Sequence, residues 1–522
     1  MRLRATRLSA TGCNSRRLAQ AINAIGTPGL KGFGVGICPS SPAGYTPLTG
    51  YNNPTHANYG NYQYTDGSVM VWVPAFRLRI GDASSPRFGV YGENAFDIAP
   101  INAHVNEAAA NAQGYYLHRA FVHAGAVQPG FFYDKYKCSH NGAGVASSIA
   151  LGNPLVSGPQ TGQVGFSVLT GAPTNAYHGA IPAARTRGAQ FFPATVFMRD
   201  ALAAISTAHG QAAAAATWCA WYDAAGVRNF PLGCNNNALK DANDTTLTFT
   251  SAGASAQPMM PLTGSGSVLA KTTHNGQANG IADVNGTVWD INPGVTNTVT
   301  SKNITSATQA NPVVLGVAGH GRTTGDVAFI TGVGGMTQLN DRMYTITVID
   351  ADTISLDGVN GSAFSAYTSG GTLRTARWYA LKPGVDITTV GSGASLATDL
   401  WGSAGIAALY DEITPAFATS YAGNNTAAQR YGNGGARVFG WATDAARALS
   451  MAGFPAPGGM SASGVNLFGQ DYYYQYMVDQ LCVLSGGTWT DGVRAGVRAR
   501  NLPNSRPNSY SAVGFVAASY LP

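Results

Sequence analysis

The chain has 522 residues, 45 % of them hydrophobic, which is enough for two or three domains around sizeable cores. Its net charge of +6 includes no dense Lys/Arg run, which argues against nucleic acid as the main partner, and no run of about 18 apolar residues is present to insert in a membrane. Charged residues make up only 11 %, with glycine at 66 positions, a composition suited to a β-rich, loop-heavy particle or extracellular protein. The six cysteines, Cys13, Cys38, Cys138, Cys219, Cys234 and Cys482, lie far apart with no C-x-x-C. They read as buried free thiols, neither a disulfide framework nor a zinc site, with a Cys219–Cys234 bridge left open.

Residues 1–64 are polar, with five arginines around an expected short helix from Ser15 to Ile25. They form either an attachment segment or a peripheral flap. The first twelve residues carry arginine but no apolar core, so no secretory signal is read there. Gly32 to Gly36 lacks the spacing of a phosphate loop. From residue 65 the pattern tightens: Val69–Pro74 reads as a buried strand, Phe76–Ile80 as an alternating one, and Pro129–Tyr136 as another. Asp134 and Lys135 read as a structural ion pair at a strand end.

Pro193-Ala194-Thr195 opens a helix running to about Ala216, with Val196, Leu202, Ile205 and Ala208 as its apolar face. Trp218, Trp221 and Tyr222 follow as core aromatics. In the polar loop from Gly233 to Asp244, Asp241 and Asp244 offer oxygen ligands, but the D-x-D-x-D-G spacing of a calcium loop is absent. Asn285-Gly286 between apolar runs signals a hairpin that buries Trp289.

Residues 301–375 change character to Thr/Val/Ile/Gly-rich short strands, expected at Pro312–Val317, Asp326–Thr331, Arg342–Asp350, Thr353–Leu356 and Thr372–Arg374. His320, between two glycines, reads as a turn residue. Beyond, Leu396–Ile413 and Arg437–Ala452 have helical spacing, and Asp471 to Tyr476 holds four tyrosines, some expected to face outward. In the final stretch Val493, Ala495, Val497 and Ala499 alternate with Arg494, Gly496, Arg498 and Arg500. That period of two predicts a strand with one apolar and one cationic face. A loop from Asn501 to Ser511 and a second strand, Val513–Ala518, complete it.

Several of these motifs resemble a known family. Gly486-Gly487-Thr488-Trp489, then Arg506-Pro507-Asn508-Ser509, then Val513-Gly514-Phe515 resemble the end of a C-type-lectin-type fold. The similarity is to its formylglycine-generating branch and to the variable proteins of diversity-generating retroelements, which include a phage tropism determinant. Met70 to Pro74, Phe131 to Tyr136 and the G-x-x-D-x-x-G-x-x-W of Gly280 to Trp289 resemble further signatures of that branch. Gly319-His320-Gly321, Thr324-Gly325-Asp326, Met336 to Asn340 and Tyr344-Thr345 resemble a small β-barrel module of phage tail proteins, related to an insertion of ubiquitin-activating enzymes. That resemblance concerns fold, and no ubiquitin chemistry follows.

The resemblance implies an α+β, C-type-lectin-type mixed fold with two helices and a β-rich inserted domain. The expected divisions are 1–64 peripheral, 65–300 first lectin-type part, 301–375 inserted module, and 376–522 second part with the ligand-binding face. Formylglycine generation needs a reactive cysteine pair near the chain end, and Thr488 to Phe515 has none. No other catalytic motif, metal-ligand set or cofactor motif is present, so the chain reads as a non-enzyme. In the retroelement proteins the corresponding segment contacts ligand. Carried over, this points to Trp489, Thr490, Asp491, Arg494, Arg498, Arg500, Asn501, Asn504, Arg506, Asn508 and Tyr510. Four closely spaced arginines flanked by Trp and Tyr favour phosphate or carboxylate groups, such as acidic polysaccharide. The expected protein is a tail-fibre or receptor-binding subunit of a phage virion, assembled in the host cytoplasm and released by lysis. It would be a homotrimer beside other virion proteins, recognising a bacterial surface glycan or protein, with no nucleic acid bound and no membrane insertion. The alternative is a structural decoration, collar or head-fibre subunit.

Overall fold

A computed structural model describes residues 22–225, 230–394, 405–415, 429–464 and 470–521. The fold is mixed α+β, and three sheets with one central helix carry its architecture. The first sheet runs, in spatial order, Tyr45–Pro47, Asn61–Tyr64, Val69–Pro74, Gly130–Asp134, Ala517–Ser519 and Phe192–Pro193, all antiparallel. Its central strands are buried on both faces, and the period of two sorts their side chains. Val71, Val73, Phe131 and Tyr133 join one core with the helix, whereas Met70, Trp72 and Phe132 join another with Phe166 and Phe515.

No division falls at residue 64. Two strands of that sheet come from before it, and Ile25, Phe33 and Val35 lie in the main core. Most of the expected Ser15–Ile25 helix lies outside the described residues, and Ile22 forms a bridge with Ile37. The strands Val69–Pro74 and Phe76–Ile80 form as predicted. So does the long helix, Val196–Ala212, whose N-cap Thr195 side chain accepts from Met198 N. The helix is buried on nearly every side, polar residues included. Asp134 is structural, but its partner is Arg187, at 2.6 Å. Lys135 instead donates to the Asn61 side chain and to the Ala57 and Ala278 carbonyls.

The second sheet has seven strands in the order Met460–Ser461, Gln429–Tyr431, Tyr472–Gln475, Arg500–Leu502, Val483–Ser485, Trp289–Asn292 and Val513–Gly514. Here three motifs meet, the first of them lying almost two hundred residues before the other two. Ser485 pairs with Asp290, Trp289 pairs with Val513, and Gly286 N donates to Gly486 O at 3.1 Å. Asn285-Gly286 makes a turn, but no hairpin. Gly286 has φ 72° and bridges Cys234, because residues 281–284 pair with no neighbouring strand.

The third sheet is the inserted module, built on the long strands Val295–Asn303 and Ser369–Leu381. Its order continues through Val327–Gly334, Arg342–Val348, Thr353–Leu356, Val314–Gly316 and Ser306–Ala307 around a core of its own. The strand path is open and not a closed barrel. Its two ends, Val295–Asn303 and Ser306–Ala307, are successive parts of one stretch of chain, so the sheet curls over its core. His320 is a turn residue, with Nδ1 accepting from Arg322 N and Nε2 2.7 Å from Asp350 O.

The two later helices depart from expectation. Tyr410–Ile413 is a strand paired to the module, and residues 395–404 lie outside the described residues. Helix forms only at Asp444–Ser450 within Arg437–Ala452. No helix among the described residues is long and apolar enough to cross a membrane. Cys38, Cys138, Cys219, Cys234 and Cys482 are free thiols.

Candidate functional site

The expected cationic strand does not form. Gly492–Arg494 is a short helical turn, and the strand is only Arg500–Leu502. Both alternating sets from residue 495 to 500 are buried. Arg498 is 3 % exposed and Arg500 2 %. The Arg498 guanidinium donates to Thr207 Oγ1, lies 3.4 Å from Asp200 Oδ1, and stacks over the Phe96 and Phe439 rings. Arg500 Nη1 faces the carbonyls of Val497, Arg498 and Ala499. Arg506 is also buried, and its carbonyl accepts from His178 N. Arg500 meets only carbonyls of its own segment, its Nε and Nη2 buried without a hydrogen-bond partner among the described residues, whereas Arg498 ties the segment to the body. The reason is physical: a buried guanidinium must find acceptors, and the central helix supplies Asp200 and Thr207. Asp471 closes the arrangement, accepting from Arg498 N at 2.7 Å where Gly496 leaves room for its carboxylate. Burial pushes the Asp471 carboxyl up to about 8.

Six of the predicted residues converge elsewhere. A cleft of about 380 Å³ is lined by Trp489, Thr490 and Asp491 from one turn, Asn501 and Asn504 from the strand and its exit, and Tyr510 from the loop beyond. Trp289, Tyr177, Gln257 and Leu484 complete its walls. Trp289 had read as core, and it is 5 % exposed. Gln257 sits in a loop with no pattern to single it out.

The cleft is built rigidly. Asp491 Oδ2 accepts from Thr488 N at 2.7 Å and from its hydroxyl at 3.0 Å. Trp489 O accepts from Asn237 N, and Gly492 N donates to Asn235 O, so the turn rests on the polar loop 233–244. That loop is held by Asp241, whose carboxylate accepts from Gly233 N, Asn243 N, Asp244 N and the Asn235 side chain. These donors occupy the oxygens that a calcium ion would need, and Asp244 pairs with Lys271. The Tyr510 backbone is clamped on both sides. Its N–H donates to Ser157 Oγ and its carbonyl accepts from Gly158 N, while its side chain stays 58 % exposed. A Cβ at Gly158 would press on that backbone. Asn508 shapes the loop instead of lining the cleft, since its side chain accepts from Ser505 N and Oγ. Arg494 is exposed and stands outside the cleft.

The lining holds one carboxylate and no lysine or arginine. Burial raises the Asp491 carboxyl above its ordinary value, against the lowering by both Thr488 donors. Asn501 Oδ1 is buried without a hydrogen-bond partner among the described residues. Aromatic edges, amides and one carboxylate suit hydroxyl-rich, largely uncharged ligands. The acidic-polysaccharide expectation rested on four arginines, none of which lines the cleft.

Residues 313–377 match the family model of the ubiquitin-activating enzyme E1 FCCH domain. The match covers the inserted module and none of the cleft residues, in line with the resemblance of that stretch. No curated protein matches the sequence.

Proposed function

We propose that the protein is a non-catalytic receptor-binding subunit of a phage virion, with a C-type-lectin-type body that binds a bacterial surface glycan in the cleft beside Trp489 and Tyr510. The observation carrying this reading is the convergence of Trp489, Thr490, Asp491, Asn501, Asn504 and Tyr510, from three chain segments, on one preformed cleft. An exposed tyrosine on a clamped backbone offers a flat face to the C–H side of a sugar ring. The amides and Asp491 match hydroxyl donors and acceptors, and little ordering remains to be done on binding. The side-by-side placement of the 280–289, 486–489 and 513–515 motifs in one sheet supports the lectin-type assignment. The homotrimer and the neighbouring virion proteins come from the resemblance.

The test is binding of the fluorescently tagged protein to a panel of bacterial strains, before and after periodate oxidation of cell-surface sugars. Binding to some strains that periodate abolishes is the expected result, together with labelling of phage particles by an antibody to the protein. Binding that survives periodate but not protease treatment of the cells would overturn the glycan assignment. Absence of binding to every strain would overturn the receptor role.

A further inference from the structure

Next to the cleft, the seven-stranded sheet turns a second row of side chains to solvent. In the strand Tyr472–Gln475, Tyr473 and Gln475 are buried whereas Tyr472 and Tyr474 are half-buried. The rings of those two stack with centroids 5.6 Å apart and 17° between planes. The strand register extends the row in both directions, since residues paired across strands share a face. Tyr474 pairs with Asn501, which lines the cleft. Tyr472 pairs with Arg430 on the next strand, where Arg430 is half-buried between buried neighbours. Arg494 is exposed at the end of the turn that follows Asp491.

The two guanidiniums lie within electrostatic reach of each other. Burial lowers the basicity of Arg430 most, and Arg494 is the next cause. Arg494 and Asp491 both act on Tyr472. Arg430 Nη1 donates to Gln470 O at 3.2 Å, and neither arginine makes an ion pair among the described residues. Asp471 acts on Arg430 and Asp491 faces Arg494, but no ion pair joins them among the described residues, and two cations beside an aromatic shelf favour an added anion.

We propose that Tyr474, Tyr472, Arg430 and Arg494 form a second subsite, which takes an anionic substituent of the glycan chain whose uncharged part fills the cleft. The inference rests on the glycan reading of the cleft. The tyrosine pair supports the sugar unit between the two, and the guanidiniums accept a uronate carboxylate or a phosphate through charge-assisted hydrogen bonds.

The test is surface plasmon resonance on immobilised, purified bacterial polysaccharides, each presented native, carboxyl-reduced and dephosphorylated. The tightest polymer is expected to be acidic, and removing its acidic group should weaken binding by about tenfold or more. Loss on carboxyl reduction identifies uronate, and loss on dephosphorylation identifies phosphate. Arg430→Gln/Arg494→Gln should weaken the native polymer by the same factor and leave the neutralised polymer unchanged. Arg494→Gln alone, at an exposed site, should keep the wild-type melting temperature and show part of the loss. If removing the acidic group changes nothing, or the double variant binds native polymer like wild type, the anionic subsite is wrong. In that case the cleft reading still stands wherever Tyr510→Ala abolishes binding. If wild type binds no polysaccharide, both are overturned.

Discussion

The inserted module and the terminal segment both read as strands, the module from its Thr/Val/Ile/Gly-rich short runs and the terminal segment from a period of two, yet only the module forms them. Thr353–Leu356 forms as predicted and three further strands fall within a few residues of expectation, whereas Thr372–Arg374 is only part of the longer strand Ser369–Leu381, and its partner Val295–Asn303 was not foreseen. Apart from the link of Ser369–Leu381 to Tyr410–Ile413, each strand there pairs inside the module, and its inward face closes a local core. From Val493 to Arg500 the alternation was no sign of a strand with a solvated cationic face. Arg498 turns inward because Asp200 and Thr207 on the central helix, nearly three hundred residues earlier, supply its acceptors. Alternation reports a two-faced strand only where the polar face reaches water.

The difference can be probed by substitution, beginning with the largest effect. Arg498→Ala leaves Asp200 without its cationic partner and should destabilise the protein by about 3–5 kcal/mol in chemical denaturation. A loss under about 1 kcal/mol would mean that the arginine is solvated after all. Ile330→Ala, fully buried in the module's core, should cost about 2–5 kcal/mol through lost contacts and a cavity. A near-neutral result would show that core to be loosely packed.

A pH profile isolates Asp471. Burial lifts its carboxyl to about 8, against an ordinary value near 3.9. A group that holds its proton more tightly when folded contributes its stability in full below about pH 4 and loses it progressively as the pH rises to about 8. The stability of wild type relative to Asp471→Asn should therefore fall across that window, by at most about 1.4 kcal/mol per pH unit. Parallel profiles would count against a protonated Asp471. At the small end, exposed Arg494→Ala should change stability by less than about 0.5 kcal/mol, whereas a larger loss would place its side chain in the fold.

Much of the body was legible in the sequence. The helix after Thr195 shows its cap and spacing, and Val69–Pro74 is an uninterrupted apolar run. Six of eleven candidate residues reach the cleft because the Thr488–Asp491 turn and the Asn501–Tyr510 loop carry their own turn chemistry. What stayed hidden depends on distant partners. Trp289 and Gln257 enter the cleft only through tertiary packing, and the turn around Asn285-Gly286 gains no hairpin because residues 281–284 form no strand, leaving Gly286 to bridge Cys234. The aromatic shelf was partly visible, since Tyr472 and Tyr474 do face outward, but their pairing with Arg430 and Asn501 was not.

The terminal segment divides its labour, with Arg498 holding the fold and Tyr510 proposed to contact ligand. Both properties should be measured on Arg498→Lys and Tyr510→Ala: thermal melting, and binding to a periodate-sensitive host strain. The expected pattern is crossed. Arg498→Lys melts lower yet binds like wild type below its transition, while Tyr510→Ala melts like wild type and loses binding. If Tyr510→Ala binds normally and a folded Arg498→Lys does not, the ligand surface lies where the arginine is, and the account is wrong.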